Sequence, residues 1–349
     1  MVTMPSRPAI TVTIPIYNGE RYLAETIQSL MAQTFCDFQV IIVDDCSSDG
    51  SHALVRKYTE GDSRFVLIRT PKNQGSASKV INFALPHAVG DYFAYSSQDD
   101  LYSTDWLSEM YRTARESGAE ATLPKMVFYR AGAEGELAGI RGAGAVWPPS
   151  ISGREAVTLS LDWKVHGFAL WKTELVRATR FKEFGIFADE YTVRELFMAC
   201  KTVAFSGGTF FYRQDNPEAI TKKRSVGTFD RPYNYVMLSR LLSENAFPRE
   251  LSTREMNRAL TDLIRLQMEL LDPTMPYSED FRNSAEHRLR GAFDALNSPE
   301  ARRSLAHQND PRSVVRRLAL ADSYEQFRGG CRVFLHLPFY RRKFADGRW

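Results

Sequence analysis

The chain has 349 residues, 44% hydrophobic and 25% charged, a composition that excludes a disordered or low-complexity protein and suffices for one large domain or two. Its net charge of +3 is unevenly spread: from Ala301 onward eleven Lys or Arg stand against four acids, a surplus of +7 that leaves −4 for the rest. Four scattered cysteines (Cys36, Cys46, Cys200, Cys331) lack CxxC or Cys/His spacing, which argues against structural zinc and a disulfide framework and for a reducing compartment. Residues 1–8 lack a signal-peptide core, and no run approaches the length of a spanning helix, so a cytoplasmic chain, or one peripheral at the inner face of a membrane, is expected.

Strand and helix patterns alternate through the first third. Ile10, Val12, Ile14 and Ile16 interleave with Thr11 and Thr13 as in a strand that breaks at Tyr17-Asn18-Gly19. Leu23, Ile27, Leu30 and Met31 follow at helical spacing. Phe38 to Val43 is a continuous β-rich run of the kind buried on both faces, ending at Asp44-Asp45 and followed by the turn and helix cap Ser47-Ser48-Asp49-Gly50. Phe65 to Arg69 reads as a third strand, Val80 to Leu85 lies on a helix, and Tyr92 to Tyr95 reads as a fourth strand. Such alternation predicts an α/β fold with right-handed crossovers and a mostly parallel sheet.

Beyond Arg231 the character changes. Tyr235, Met237, Leu238, Leu241 and Leu242 suit one helix; Leu260, Leu263, Ile264, Met268 and Leu271 suit another, ended by Asp272-Pro273. The expected organisation is therefore an α/β domain over 1–230 and a helical C-terminal region over 231–349. The closing run from Val333 to Phe344 mixes aromatics with Arg341, Arg342 and Lys343. It could lie on an anionic membrane surface, or pack on its own domain or on a second subunit as part of a homo-oligomer. The basic end could also meet nucleic acid, the less favoured partner.

Pro15-Ile16-Tyr17, Asp44-Asp45 and Asp99-Asp100 all fall at carboxyl ends of predicted strands, and in a parallel sheet they converge on the edge where ligands bind. Two acidic pairs on one such edge suit a nucleotide and a divalent cation. No GxGxxG follows the first strand and no GxxxxGK[ST] occurs anywhere, so a glycine loop does not cradle the phosphates, and a sugar-nucleotide pyrophosphorylase is disfavoured. A metal on Asp99 or Asp100 is the economical way to neutralise a diphosphate.

These fragments together resemble one family. Ile14-Pro15-Ile16-Tyr17-Asn18-Gly19-Glu20, Gln33-Thr34-Phe35-Cys36-Asp37-Phe38, Ile42-Val43-Asp44-Asp45-Cys46-Ser47-Ser48-Asp49-Gly50-Ser51, Asn73-Gln74-Gly75 and Gly90-Asp91-Tyr92 stand in the order and spacing of a family 2 glycosyltransferase with the GT-A (Rossmann-like) fold. The resemblance covers roughly residues 9 to 215.

It implies an inverting transfer of one sugar from a nucleoside-diphosphate donor, a UDP-sugar in the first instance, to an acceptor hydroxyl on a glycan or lipid-linked glycan of a bacterial surface polysaccharide such as capsule or lipopolysaccharide. Asp45 matches the acid that reads the donor base, with Pro15 and Tyr17 lining its pocket. Asp99 and Asp100 match the last two positions of the D-x-D-D element, one approaching the ribose and the next holding Mn²⁺ or Mg²⁺. Ser97 stands where the first acid of that element is expected, and Ile81 where an Arg often precedes the Asn matched by Asn82, leaving Lys79 as a substitute cation. Phe184 to Tyr191 is similar to the family's glutamate-aspartate element with Ala188 in place of the Glu, which makes Asp189 the general base and Glu190 its alternative. Arg213, Lys222 and Lys223 fall in a later segment near the donor phosphates. Processive synthesis is disfavoured by the absence of a QxxRW element and of spanning segments. The departures at Ser97 and Ala188 keep one alternative open: a non-catalytic nucleotide-sugar or nucleic-acid-binding protein of the same fold. His166 reads equally as a ligand at the acceptor or metal and as a packed core residue; Trp163 and Trp171 read as core or as a sugar platform.

Overall fold

The computed structural model describes residues 7–132, 148–220, 222–298 and 321–335. Among these the packing separates two compact units: one runs to Glu183 and takes up Ala188–Ala219, and the other holds Phe184–Phe187 and the residues from Ile220 onward. The expected boundary at 230 follows the change in residue pattern, whereas the packing divides at Ala219/Ile220, ahead of the 3-10 turn Val226–Asp230.

Among the described residues the first unit is built on nine strands: β1 (Ile10–Ile16), β2 (Phe38–Asp44), β3 (Phe65–Arg69), β4 (Tyr92–Tyr95), β5 (Leu101–Tyr102), β6 (Ala121–Tyr129), β7 (Ser150–Ile151), β8 (Leu170–Lys172) and β9 (Val203–Arg213). Their order is β3-β2-β1-β4-β8-β6-β9-β5, with β7 also on β9. The first four pair in parallel, Ile10 to Ile16 facing Phe38 to Asp44 on one side and Ile10 to Thr13 facing Tyr92 to Tyr95 on the other. Beyond β4 the short β8 runs antiparallel to both neighbours, while β6 and β9 pair in parallel. Parallel pairs thus carry most of the ladder. The register of β6 slips between Leu123 and Lys125, where Pro124 has no N–H to give to a neighbour.

The alternation of Ile and Thr in β1 suggests a half-buried strand, but Thr11 and Thr13 are as buried as the isoleucines. Helices cover both faces: α1 (Glu20–Met31), α2 (Ser51–Thr59), α3 (Ala77–Ala84), α4 (Trp106–Ser117), α5 (Gly153–Ser160), α6 (Thr173–Thr179) and α7 (Ala188–Ala199). Thr11 is tolerated there because its hydroxyl accepts the Gly90 N–H at 2.9 Å and donates to Gln39 Oε1 at 3.2 Å. Ile10, Val12, Ile14, Leu23, Ile27, Val40, Trp106 and Phe210 form one core around this strand.

The second unit is helical: α8 (Arg231–Glu244), α9 (Arg249–Leu271), α10 (Glu279–Leu296) and α11 (Tyr324–Leu335). Both helices predicted from apolar spacing are present, and α9 ends where Asp272-Pro273 breaks it. Leu263, Leu289, Phe293 and Phe327 meet in its core. Of the aromatic, basic closing run only Val333, Phe334 and Leu335 lie among the described residues, at the end of α11; the rest falls outside them. No helix among the described residues is long and apolar enough to cross a membrane.

Candidate functional site

Three segments leave the carboxyl edge of the parallel strands and are bound to one another. The Tyr17 N–H donates to Gln98 Oε1 at 2.8 Å, and Gln98 Nε2 donates back to the Tyr17 carbonyl at 3.1 Å, which joins the loop after β1 to the loop after β4. The Asp45 N–H donates to the Ile16 carbonyl at 2.8 Å, which joins the loop after β2 to the same place. Pro15 and the half-exposed Tyr17 therefore stand beside Asp45 and the acidic pair.

Asp44 and Asp45 are neighbours with different duties. Asp44 is fully buried, accepts the Ser47 N–H at 2.8 Å and pairs with His52 at 2.9 Å, so it anchors the turn. Asp45 points the other way: its carboxylate accepts the Thr70 hydroxyl at 2.8 Å and the Gln74 N–H at 2.9 Å, and Asn73 Nδ2 donates to its carbonyl at 3.1 Å. Cys46 takes the turn at φ 62°, a left-handed conformation that redirects the chain directly after Asp45.

The acidic pair after β4 is buried, with Asp99 and Asp100 at 8% and 1% exposure. Asp99 is fully engaged: its Oδ1 accepts the Ser97 hydroxyl at 2.5 Å and its Oδ2 accepts Asn216 Nδ2 at 2.6 Å. Ser97 thus supplies a donor where a third acid would add repulsion. Asp100 accepts the Arg213 N–H at 3.0 Å through Oδ1, while its buried Oδ2 has no hydrogen-bond partner. Burial, reinforced by the charge of Asp99, pushes the Asp100 carboxyl well above the ordinary carboxylate range. An orphaned anionic oxygen at this depth is costly unless a cation or a proton meets it.

Arg213 is placed differently from its expected role at a phosphate. Its Nε donates to the Asp99 carbonyl at 2.6 Å, its Nη2 to Glu25 at 2.5 Å and its Nη1 to Asp215 at 3.3 Å, with the rings of Tyr22 and Tyr129 4.6 and 5.0 Å away. At 3% exposure it is a clamp on the acidic pair rather than a cation facing outward. Lys79 lines a cavity of about 390 Å³ together with Gln74, Asn82, Arg180 and Glu183. Lys223 is exposed and belongs to the second unit, so the first unit does not bring it to the other candidates.

Asp189 and Glu190 open α7, where a carboxylate is favoured by the helix dipole. The buried Arg194 separates their fates: it grips the Glu190 carboxylate, donates to the Glu190 carbonyl at 2.6 Å and reaches the Ser160 carbonyl at 2.7 Å. Asp189 keeps some exposed surface while neighbouring atoms withhold much of its hydration. Burial first, and the charge of Glu190 second, push it up to about 7. Tyr212 connects the two acidic groups. Its phenol is raised by burial and then by Asp100, Asp99, Asp189 and Glu190, so both groups lie within electrostatic reach of one hydroxyl.

His166 is a core residue. Its Nε2 donates to the Pro124 carbonyl at 3.0 Å across the slip in β6, and burial pushes its pKa down to about 4, so it is neutral near pH 7. Trp171 is fully buried, whereas Trp163 is 40% exposed. The sequence reasoning passed over Asn216, Gln98, Tyr212 and Arg194. Only Arg194 carried a readable sign, standing four residues after Glu190 on one helical face.

Comparison with known proteins bears on the family and the fold. Residues 11–161 match the family described as glycosyl transferase family 2. Glycosyltransferase GlyG of Streptococcus pneumoniae serotype 4 is 26% identical over 226 residues, covering 59% of this chain and 70% of that one. A poly(ribitol-phosphate) beta-glucosyltransferase of Bacillus spizizenii is 29% identical over 176 residues, covering 50% of this chain but only 26% of its own length. Among solved structures, residues 1–349 of S. aureus TarS in complex with UDP-GlcNAc superpose with a TM-score of 0.65 at 17% identity, covering 97% of this chain and 92% of that one. The fold is therefore shared.

Proposed function

Because this chain belongs to glycosyl transferase family 2 and is a glycosyltransferase, we propose that it moves a single sugar from a UDP-sugar donor to an acceptor hydroxyl with inversion at the anomeric carbon. The observation that carries this reading is two acidic groups in the first unit: the buried Asp99-Asp100 pair past β4, whose Asp100 Oδ2 has no hydrogen-bond partner, and Asp189 at the start of α7, whose neighbour Glu190 is gripped by Arg194. One group suits a diphosphate and the other a proton.

On the donor side, Asp45 keeps lone pairs beyond those used by Thr70 and Gln74 and can accept the imide N–H of uracil, with Pro15 and Tyr17 flanking the ring. Asp99 stands beside the ribose, and Lys79 is the cation offered to the phosphates. The described residues contain no ready cluster of three or more ligating side chains, but the orphaned Asp100 Oδ2 fits a divalent cation completed by diphosphate oxygens. Mn²⁺ or Mg²⁺ would be held by Asp100 with Asp99 beside it, and when bound it supplies neutralisation of the leaving diphosphate. Arg213 fixes the Asp100 carboxylate and the Asp99 carbonyl, while Ser97 and Asn216 hold the Asp99 carboxylate.

On the acceptor side, Asp189 takes the hydroxyl proton as the acceptor oxygen forms its bond to the anomeric carbon. The bond from that carbon to the diphosphate oxygen breaks on the opposite face, and the nucleoside diphosphate leaves with the electron pair. A base near 7 is well matched to this transfer at neutral pH, and Arg194 holds Glu190 out of it. TarS binding UDP-GlcNAc on the same fold supports the uridine donor, and the poly(ribitol-phosphate) beta-glucosyltransferase supports an acceptor of the surface-polysaccharide class.

The test is calorimetric titration of the full chain with UDP, GDP, CDP and dTDP, each with and without Mn²⁺. UDP is expected to bind at least roughly tenfold more tightly than the others, and more tightly with the cation. Equal binding of all four, or none, would overturn the donor assignment.

A further inference from the structure

We propose that Trp163 is the platform on which a pyranose ring of the acceptor stacks, an assignment that rests on the sugar-transfer reading above. Trp163 occupies the turn after α5 with φ at 55°, the left-handed region. The position closes α5 as a left-handed helix cap, where glycine is usual and a bulky side chain is unfavourable. Here the turn is held by the Trp163 N–H on the Ser160 carbonyl at 3.1 Å and the Lys164 N–H on the Leu159 carbonyl at 3.0 Å. Core packing does not account for a tryptophan at this position, because the residue is 40% exposed while Trp106 and Trp171 are buried at 1% and 0%.

The turn is joined to the helix that carries the proposed base. Helices α5 and α7 run antiparallel: a Cβ on Gly153, at the start of α5, would meet the carbonyls of Phe197 and Cys200 near the end of α7. At the other end of α5 the Ser160 carbonyl accepts from Arg194 at 2.7 Å, and the same guanidinium grips Glu190 beside Asp189. Just past the turn, Gly167 packs so closely on Val193 that a Cβ would lie 2.4 Å from Val193 Cγ2 and 3.2 Å from the Tyr95 hydroxyl. Tyr95 in turn feels the charge of Asp189. Trp163 therefore stands on the base side, whereas Asp45 and Asp99 follow β2 and β4. Since the base takes its proton from the acceptor, a surface on this side meets the acceptor rather than the nucleotide. The axial C–H face of a pyranose is apolar and complements an indole face, and the exposed Asp162 and Lys164 flank it in sequence with groups that suit ring hydroxyls.

The experiment titrates the full chain, with UDP present, with methyl β-D-glucopyranoside, methyl β-D-galactopyranoside and methyl N-acetyl-β-D-glucosaminide, reading tryptophan emission and calorimetric binding. At least one glycoside is expected to change wild-type emission saturably. Trp163→Phe is expected to keep the binding while losing the emission change, and Trp163→Ala to weaken binding roughly tenfold with UDP affinity unaltered. Trp163→Gly, which relaxes the backbone, should melt higher than Trp163→Ala, separating strain from stacking. The assignment is overturned if no glycoside alters wild-type emission, if the response survives in Trp163→Ala, or if phosphatidylglycerol vesicles alone produce it. UDP is the control: no UDP binding by the wild type sinks the transfer reading, whereas UDP binding with silent glycosides sinks only the role of Trp163.

Discussion

Asp189→Asn is expected to lower sugar transfer by about 10²–10⁴-fold while UDP binding stays within roughly twofold of the wild type, because the change removes a proton acceptor and leaves the nucleotide contacts intact. In the wild type, kcat/KM should rise with pH through about 7, the value to which burial and Glu190 push Asp189, and the variant should lose that limb. Stability moves the other way. A carboxyl raised from 3.8 to about 7 contributes stability below the lower value and loses it as pH rises through the higher one. Asparagine carries no such penalty, so the variant's Tm should exceed the wild type's by a few degrees at pH 8 and match it below about pH 4. Glu190→Gln tests the same pair from its other side: without the neighbouring charge, the rate limb should shift to lower pH. Wild-type turnover in Asp189→Asn would remove Asp189 as the base.

Asp100→Asn is expected to abolish the gain in UDP affinity that Mn²⁺ confers, a loss on the order of 10–100-fold, while cation-free UDP binding changes little. Asparagine keeps an oxygen for the Arg213 N–H and removes the orphaned anionic Oδ2. The fold should therefore hold. Burial raises the Asp100 carboxyl, so its ionisation opposes stability as pH rises, and the variant should be at least as stable as the wild type at neutral pH without cation. Calorimetry with and without Mn²⁺ reads the first effect and thermal melts read the second. An unchanged response to Mn²⁺ would mean that the cation sits elsewhere.

Much of the parallel half was readable because its strands are continuous or alternating apolar runs, each ended by a polar break. Phe38 to Val43 needs no context to be recognised as a buried strand, and Asp44-Asp45 marks where it stops. The antiparallel half was not readable for the opposite reason: β5, β7 and β8 are two or three residues long, too short for any periodicity to stand out. Pairing defines them, with β9 for β5 and β7 and with β4 and β6 for β8, and pairing is a property of the folded chain.

The same division runs through the site. Asp45, Asp99, Asp100 and Asp189 could be singled out because acids at strand ends and helix starts are few and their spacing is informative. The partners of Arg213 were not legible, because nothing in Tyr212-Arg213 reveals Glu25, which meets it from α1. Asp189 and Glu190 were equivalent on paper; Arg194 makes them different by gripping one of them. Trp163 and Trp171 were likewise indistinguishable until packing buried one and left the other open. Composition names the candidate groups, and long-range partners assign their work.

The most direct test of the central claim, displacement by an acceptor activated at Asp189 on the face opposite the diphosphate, is the anomer first released from an α-linked UDP-hexose with water as acceptor, followed by proton NMR before mutarotation. The β-anomer appearing first is the predicted result. The α-anomer appearing first would contradict it, because retention requires attack from the face that the leaving group occupies.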